Sequence, residues 1–267
     1  CSRSPGMGST DVALVVAKSF PAAMRAEKVI NVEWDAPMAN LLDEQDLWDE
    51  AEELASSRQE AFDWLTVGDT QREMRRAKSV VEAEYRTSMI EHAALEPRSA
   101  LVQPIDGTYH IYSGHQSGAF LIQFIANTLG VAEDKVVYHP HQIGGSFGDK
   151  IYADQIVVAA KASKKLNIPV KVIMTREDQF NLGHPKSISL HRMKAGVAAK
   201  PSATLADNIL AVEHDVVAAP AGMRVRDGFA FDGPDDKQPE QIPGEVNPSM
   251  ITGADHWYDL GATRVSF

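Results

Sequence analysis

The chain of 267 residues has one cysteine, Cys1. A single thiol excludes an internal disulfide, and it excludes an all-cysteine zinc or iron–sulfur site built within the chain. Its place at the first position is open to two readings, a bacterial lipid attachment point or no more than where the sequence starts. Long apolar runs are also lacking. None approaches the roughly 18 to 20 residues that a membrane-spanning helix requires, so no transmembrane segment is expected. The opening Cys1-Ser2-Arg3-Ser4-Pro5-Gly6 has no apolar centre and is not a signal peptide. Basic residues are outnumbered, 26 Lys and Arg against 37 Asp and Glu, for a net charge of -11. Without a basic surplus there is little to neutralise phosphates, which argues against nucleic acid as a partner.

What is present is ordinary for a globular protein, with 44% hydrophobic and 24% charged residues. The length suffices for one large or two medium domains. The run Asp11–Ala17 reads as a buried strand. Ser19 and Pro21 start a helix that runs to about Lys28, and Val29–Trp34 reads as a second strand. So apolar an opening strand wants neighbours on both sides, so further chain is expected on the N-terminal side. From Asp43 to about Glu60, Leu47, Trp48, Ala51, Leu54 and Ala55 share one face of an acidic amphipathic helix. A basic patch, Glu73–Lys78, precedes a strand over Ser79–Tyr85. Strands over Ala100–Gln103 and Tyr109–Tyr112 flank the turn Pro104-Ile105-Asp106-Gly107. Ser117 caps a helix that Gly130 ends. Lys135–Tyr138, a helix over Ile151–Lys165 and a strand over Pro169–Thr175 continue the alternation. Ser187–Val197 and Ile209–Ala218 form a hairpin, and 219–247 is a long Pro- and Gly-rich loop. The fold class is α+β, a mixed α/β arrangement of layers with mixed sheets.

The most informative stretch runs from Ser113 to Lys150. A polar turn, Ser113-Gly114-His115-Gln116-Ser117, and a glycine corner, Gly144-Gly145-Ser146-Phe147-Gly148-Asp149-Lys150, flank one helix and one strand. Lys150 is followed by Ile151, so the corner is not a nucleotide-triphosphate loop, and no Gly-x-Gly-x-x-Gly fingerprint is present. Its glycines suit backbone N–H groups presented to an anion, and they equally suit a tight connection that binds nothing.

In combination the pieces resemble the molybdopterin-binding large subunit of the xanthine oxidase family of molybdenum hydroxylases. Gln116, the corner around Phe147, His92 with Glu96-Pro97, and Val12–Val16 with Val32-Glu33-Trp34-Asp35 carry the resemblance. Gly183-His184-Pro185, Arg192 and Ala195-Gly196 are similar to the isoquinoline oxidoreductase and aldehyde dehydrogenase branch. The similarity extends over about residues 11–215. It implies the end of a hammerhead-like α/β domain with the acidic helix over 1–82, the first molybdopterin-binding domain over 83–218, and an irregular loop with a terminal strand over 219–267.

The resemblance also implies roles. Gln116 would contact an oxo ligand of molybdenum, and Gly144, Gly145, Ser146, Phe147 and Gly148 would approach the molybdopterin, whose cytosine dinucleotide form is one alternative. The metal takes its sulfur ligands from the pterin, so no protein ligand is assigned to it. His92, His115, His139, His141 and His184 are read as structural, hydrogen-bonded groups. Two positions depart from the family pattern, Ser146 and Asp149. Asp149 either caps the next helix or faces the pterin phosphate and repels it. The family's proton-abstracting glutamate lies in a later domain, and Gly244-Glu245 is too early to be that residue. The chain is therefore expected to work beside an iron–sulfur subunit that carries the clusters. A further polypeptide or region would carry the second molybdopterin-binding domain, and the substrate would be a small aldehyde or N-heterocycle. A scaffold or assembly module that keeps the fold without cofactor is the alternative.

Overall fold

The computed structural model describes residues 13–33, 43–57, 61, 63–200, 202, 208–218 and 260–266. Among them the chain divides into two compact units. One holds 13–33 and 91–185, and the other holds 43–90, 186–218 and 260–266. Each unit is thus assembled from separated stretches of sequence. The expected loop over 219–247 lies outside the described residues.

The first unit begins with helix α1, Phe20–Glu27, which follows Ser19 and has proline in its first turn. Its core is a four-stranded sheet of β3 (Ser99–Ile105), β4 (Thr108–Ser113), β5 (Val136–Pro140) and β6 (Val170–Ile173), in the order β5-β4-β3-β6. β3 and β4 form a hairpin whose turn residues Asp106 and Gly107 both have positive φ, the backbone that a two-residue hairpin turn needs. β4 pairs β5 in parallel, with helix α4 (Gly118–Leu129) between them in sequence. Helix α5 (Asp154–Leu166) precedes β6, which pairs β3 antiparallel.

The alternation of β3 turns Ala100 and Val102 inward with Ile111 of β4. They pack against Leu121 and Ile125 of α4 and Ile156, Ala159 and Ala160 of α5. Burial of each large aliphatic side chain stabilises by about 1.5–3 kcal/mol. Left-handed residues end both helices, Gly130 after α4 and Asn167 after α5. Helix α6 (Arg176–Leu182) opens with a capping box in which Thr175 accepts from the Asp178 N–H and the Asp178 carboxylate accepts from the Thr175 N–H.

The second unit is a five-stranded sheet in the order β1-β9-β8-β7-β2. Its strands are β1 (Asp63–Val67), β2 (Ser79–Thr87), β7 (Ser189–Val197), β8 (Ile209–Ala218) and β9 (Ala262–Ser266). β7 and β8 pair antiparallel as expected for a hairpin. The acidic helix α2 (Glu44–Ser57) lays Leu47, Trp48, Ala51 and Ala55 on Ile188, Leu190 and Val217. The basic patch falls largely on helix α3, Thr70–Arg76.

Two sequence expectations are corrected. Neither 13–17 nor 29–33 is strand, and Leu14, Val16, Val29 and Ile30 are exposed. Their apolar runs have the composition of buried strands. A strand also needs a neighbour to take its hydrogen bonds, however, and no described strand pairs with either run.

Candidate functional site

The fold brings the polar turn and the glycine corner together at the ends of β4 and β5. Two hydrogen bonds join them, and another ties the turn to the residues just before the corner. The His141 N–H donates to the Ser113 carbonyl at 3.2 Å, the Gln116 N–H donates to the Lys150 carbonyl at 3.0 Å, and the Ser146 hydroxyl donates to Gln116 Oε1 at 2.5 Å. The direction of the last bond follows from its acceptor. The Gln116 atom facing the hydroxyl is the amide oxygen, which can only accept, so the Ser146 hydrogen goes to it while Ser146 Oγ accepts from the Lys150 N–H at 2.7 Å. The amide NH2 of exposed Gln116 is then the end that remains to donate outward.

His115 stiffens the turn. Its Nδ1 accepts from the Ser117 N–H, so Nε2 carries the hydrogen and donates to the Ile151 carbonyl, each at 3.0 Å. Burial lowers its pKa against the opposing pull of these bonds, which keeps the ring neutral. His115 is therefore a structural group. His139 and His141 do not form a site of their own. His139 bonds His110 at 3.0 Å and stacks on Tyr112, which His141 meets edge-on.

The corner has an unusual backbone. Gly145, Phe147 and Gly148 all have positive φ, at 91°, 58° and 109°. For a phenylalanine this conformation costs of order 1–3 kcal/mol, and such strain concentrates where ligands bind. Phe147 is also 70% exposed, with Leu95 exposed nearby against Gly145. Four successive backbone N–H groups, from Gly145 to Gly148, have no protein hydrogen-bond partner among the described residues. A run of open N–H groups with positive φ among them suits an anionic or oxygen-rich ligand.

Glu96 holds this corner from below. Its N–H donates to the Gly144 carbonyl at 3.1 Å, and its carboxylate accepts from the Gly144 N–H at 2.7 Å and from Lys150 Nζ at 2.5 Å. Partial burial pushes the Glu96 carboxyl up, but the bonds from Lys150 and Gly144 outweigh it and hold the group below the usual range. A side chain at Gly144 would place its Cβ 2.6 Å from that of Glu96, so only glycine fits. Sequence reasoning read Glu96-Pro97 as a family marker and did not find this clamp. A glutamate followed by proline carries no local signal that its partner lies some fifty residues on.

Asp149 corrects another expectation, since it neither caps a helix nor faces outward. It is fully buried, 3.5 Å from Arg98 Nε, with Oδ2 accepting from Gln179 Nε2 at 3.4 Å. Arg98, also fully buried, donates to Asp154 at 2.8 Å. His184 Nε2 meets the same carboxylate at 2.8 Å while its ring stacks on Tyr152. Burial raises the Asp154 pKa, but His184 and Arg98 more than offset this and hold it below the usual range. The negative charge of Asp149 is thus kept away from any ligand at the corner.

A family model described as a molybdopterin cofactor-binding domain matches residues 53–222. The chain belongs to this family. The membrane-bound aldehyde dehydrogenase (pyrroloquinoline-quinone) of Gluconacetobacter polyoxogenes is 32% identical over 254 residues, which is 94% of this chain and 31% of that protein. The isoquinoline 1-oxidoreductase subunit beta of Brevundimonas diminuta is 32% identical over 136 residues, 51% of this chain and 17% of its own length. The chain therefore spans less than a third of these relatives. The solved structure of quinoline 2-oxidoreductase from Pseudomonas putida 86 matches with a TM-score of 0.54 at 17% identity, over 75% of this chain and 25% of the other, and supports the mixed α/β fold.

The residues present fit the cofactor that the family binds. An outward amide donor on Gln116, a run of open N–H groups and an exposed Phe147 meet at one corner, and the nearest buried carboxylate, Asp149, is turned away from it. Among the described residues no helix is long and apolar enough to cross a membrane.

Proposed function

We propose that this chain supplies one wall of the molybdopterin site in a molybdenum hydroxylase that oxidises an aldehyde or an N-heteroaromatic compound with water-derived oxygen. The observation that carries the proposal is the pairing of Ser146 with Gln116, which fixes the glutamine so that a neutral N–H donor points out beside the open N–H groups of Gly145 to Gly148. A neutral donor can hold an oxo group without adding charge to the site. When bound, the molybdenum cofactor supplies the two-electron oxidation and the activated oxygen.

The part played by the chain is to bind and orient. Gln116 would hold the cofactor through its outward amide N–H, the N–H groups of Gly145 to Gly148 would hold it through the backbone, and Phe147 would lie against it and limit access of water. The proton-abstracting glutamate would come from a second molybdopterin-binding region, and electrons would leave through an iron–sulfur subunit, since one cysteine cannot hold a cluster. We further propose that, in the parent protein, 1–82 closes a hammerhead-like domain and 83–218 forms the first cofactor domain.

The test is metal and cofactor analysis of the complex purified under native conditions, followed by the Gln116→Ala variant. Stoichiometric molybdenum with pterin fluorescence is expected. Gln116→Ala should lower turnover roughly hundredfold, the usual effect of removing one positioned donor, with the fold retained. A complex with no molybdenum would favour the scaffold reading. A complex holding quinone instead, as the name of the Gluconacetobacter relative states for that protein, would overturn the molybdenum assignment. Full turnover by this chain alone would refute the need for a second region.

A further inference from the structure

We propose that Glu91, His92 and Asp149 form a divalent-cation site behind the glycine corner, that Zn2+ is the ion it takes, and that the ion ties the segment around residue 91 to the corner. Each of the three residues offers one ligand atom, and these atoms lie within 4.8 Å of one another. Glu91 has a side chain only 5% exposed, and neither of its oxygens is bonded by another side chain. Asp149 is fully buried, and its Oδ1 has no such bond either. The His92 ring lies directly under the corner, with Nε2 3.2 Å from where a Cβ on Gly148 would sit and Nδ1 4.0 Å from Glu91 Oε1. The carboxylate of Glu91 also packs against Gly183, where a Cβ would approach it to 2.4 Å.

Charge counting shows why these oxygens need a cation. Three carboxylates, Glu91, Asp149 and Asp154, share this interior with Arg98, which bonds Asp154 at 2.8 Å and faces Asp149 at 3.5 Å. Glu91 has no side-chain hydrogen bond of its own, only the longer-range pull of Arg98 and His184 and the neighbouring His92 N–H, and a buried carboxylate so weakly covered takes a proton or a cation. Burial and the nearby Asp149 do raise its proton affinity. A proton, however, satisfies one oxygen and creates an O–H donor that needs its own acceptor.

A metal ion would take Glu91, His92 and the open oxygen of Asp149 as ligands at once. One imidazole and two carboxylates make a borderline donor set that suits Zn2+, whereas Ca2+ asks for six to eight oxygens. Metal–ligand lengths of about 2.0–2.2 Å put tetrahedral ligand atoms roughly 3.3–3.5 Å apart, a closure of the observed cluster by up to about 1.5 Å. The ion would join the 91–96 segment, which includes the Glu96 clamp, to Gly148 and Asp149. This inference does not depend on the molybdenum reading.

The full chain, stripped with a chelator and dialysed, is titrated with Zn2+ alone in calorimetry, with metal content read by elemental analysis. One zinc per chain is expected, with a higher melting temperature in the loaded form. Glu91→Gln, isosteric and neutral, should weaken binding at least tenfold, and His92→Asn should do the same. Glu82→Gln, on the other unit, should leave it unchanged. Circular dichroism checks that each variant is folded. X-ray absorption should show a nitrogen and oxygen shell with one imidazole. The proposal is overturned if the chain retains no zinc, if Glu91→Gln binds as tightly as the parent, or if two imidazoles surround the ion, which would indicate a pair such as His110 and His139. An infrared band of a protonated carboxyl that persists with zinc present and vanishes in Glu91→Gln would show that a proton fills the place instead.

Discussion

In the unit built on β5-β4-β3-β6, Arg98, Asp149 and Lys150 are at most 2% exposed and are held by Asp154, Gln179 and Glu96. In the five-stranded unit the ion pairs Glu84–Arg192, Glu82–Lys194 and Arg86–Glu52 stand on the open surface of β2, β7 and α2. The first arrangement places each charge where losing its partner strands it away from water. The second lets water replace any partner that is lost. Buried polar networks of the first kind cost more to assemble and fix one geometry, which is what a binding corner requires. The difference teaches that the same residue types act as scaffold in one unit and as solvated surface in the other.

The comparison breaks first at Arg98. Arg98→Met leaves Asp149 without its cation and Asp154 with His184 alone, and should cost about 3–5 kcal/mol in urea unfolding. A loss under about 1 kcal/mol would mean that the buried network is not holding the corner. Next is Gly144→Ala, whose Cβ would lie 2.6 Å from that of Glu96 and must push the clamp aside. A cost of about 1–3 kcal/mol is expected, and faster hydrogen exchange of the Gly144 and Lys150 amides would place the damage at the corner.

Glu96→Gln should cost about 1 kcal/mol at neutral pH, because the carboxylate is partly exposed and solvent screens its bond to Lys150. Its folded pKa is depressed, so this stability is present above the ordinary glutamate range and is lost as pH falls through the lower folded value. The gap between parent and variant should therefore close in acid, and a gap independent of pH would assign the effect to packing alone. The smallest effect belongs to the open sheet. Arg192→Ala should lie within about 0.2–1 kcal/mol and shrink further in salt. An effect as large as that of Arg98→Met would erase the distinction between the units.

Periodicity and end signals made most of the regular elements legible. The apolar face from Leu121 to Leu129 with Gly130 after it specified α4, and alternation over Ile209–Ala218 specified β8, because these patterns depend only on neighbours in the chain. The same reasoning failed at Val29–Ile30, where a strand composition meets no pairing partner, and it was silent on β1, whose partner β9 lies far away in sequence. For the site, the sequence marked Gln116 and the glycine corner as a pair worth joining.

The sequence by itself determined the helix and strand periods, the charge balance and the absence of any thiol set for a cluster. Only the tertiary structure decided that Ser146 orients Gln116, that Glu96 clamps Gly144 and Lys150, and that Asp149 turns inward to Arg98. The physical reason is range. Local dihedral preferences and apolar periods are written within a few residues, whereas the pairing of buried charges depends on which distant groups the packed core brings to within about 3 Å.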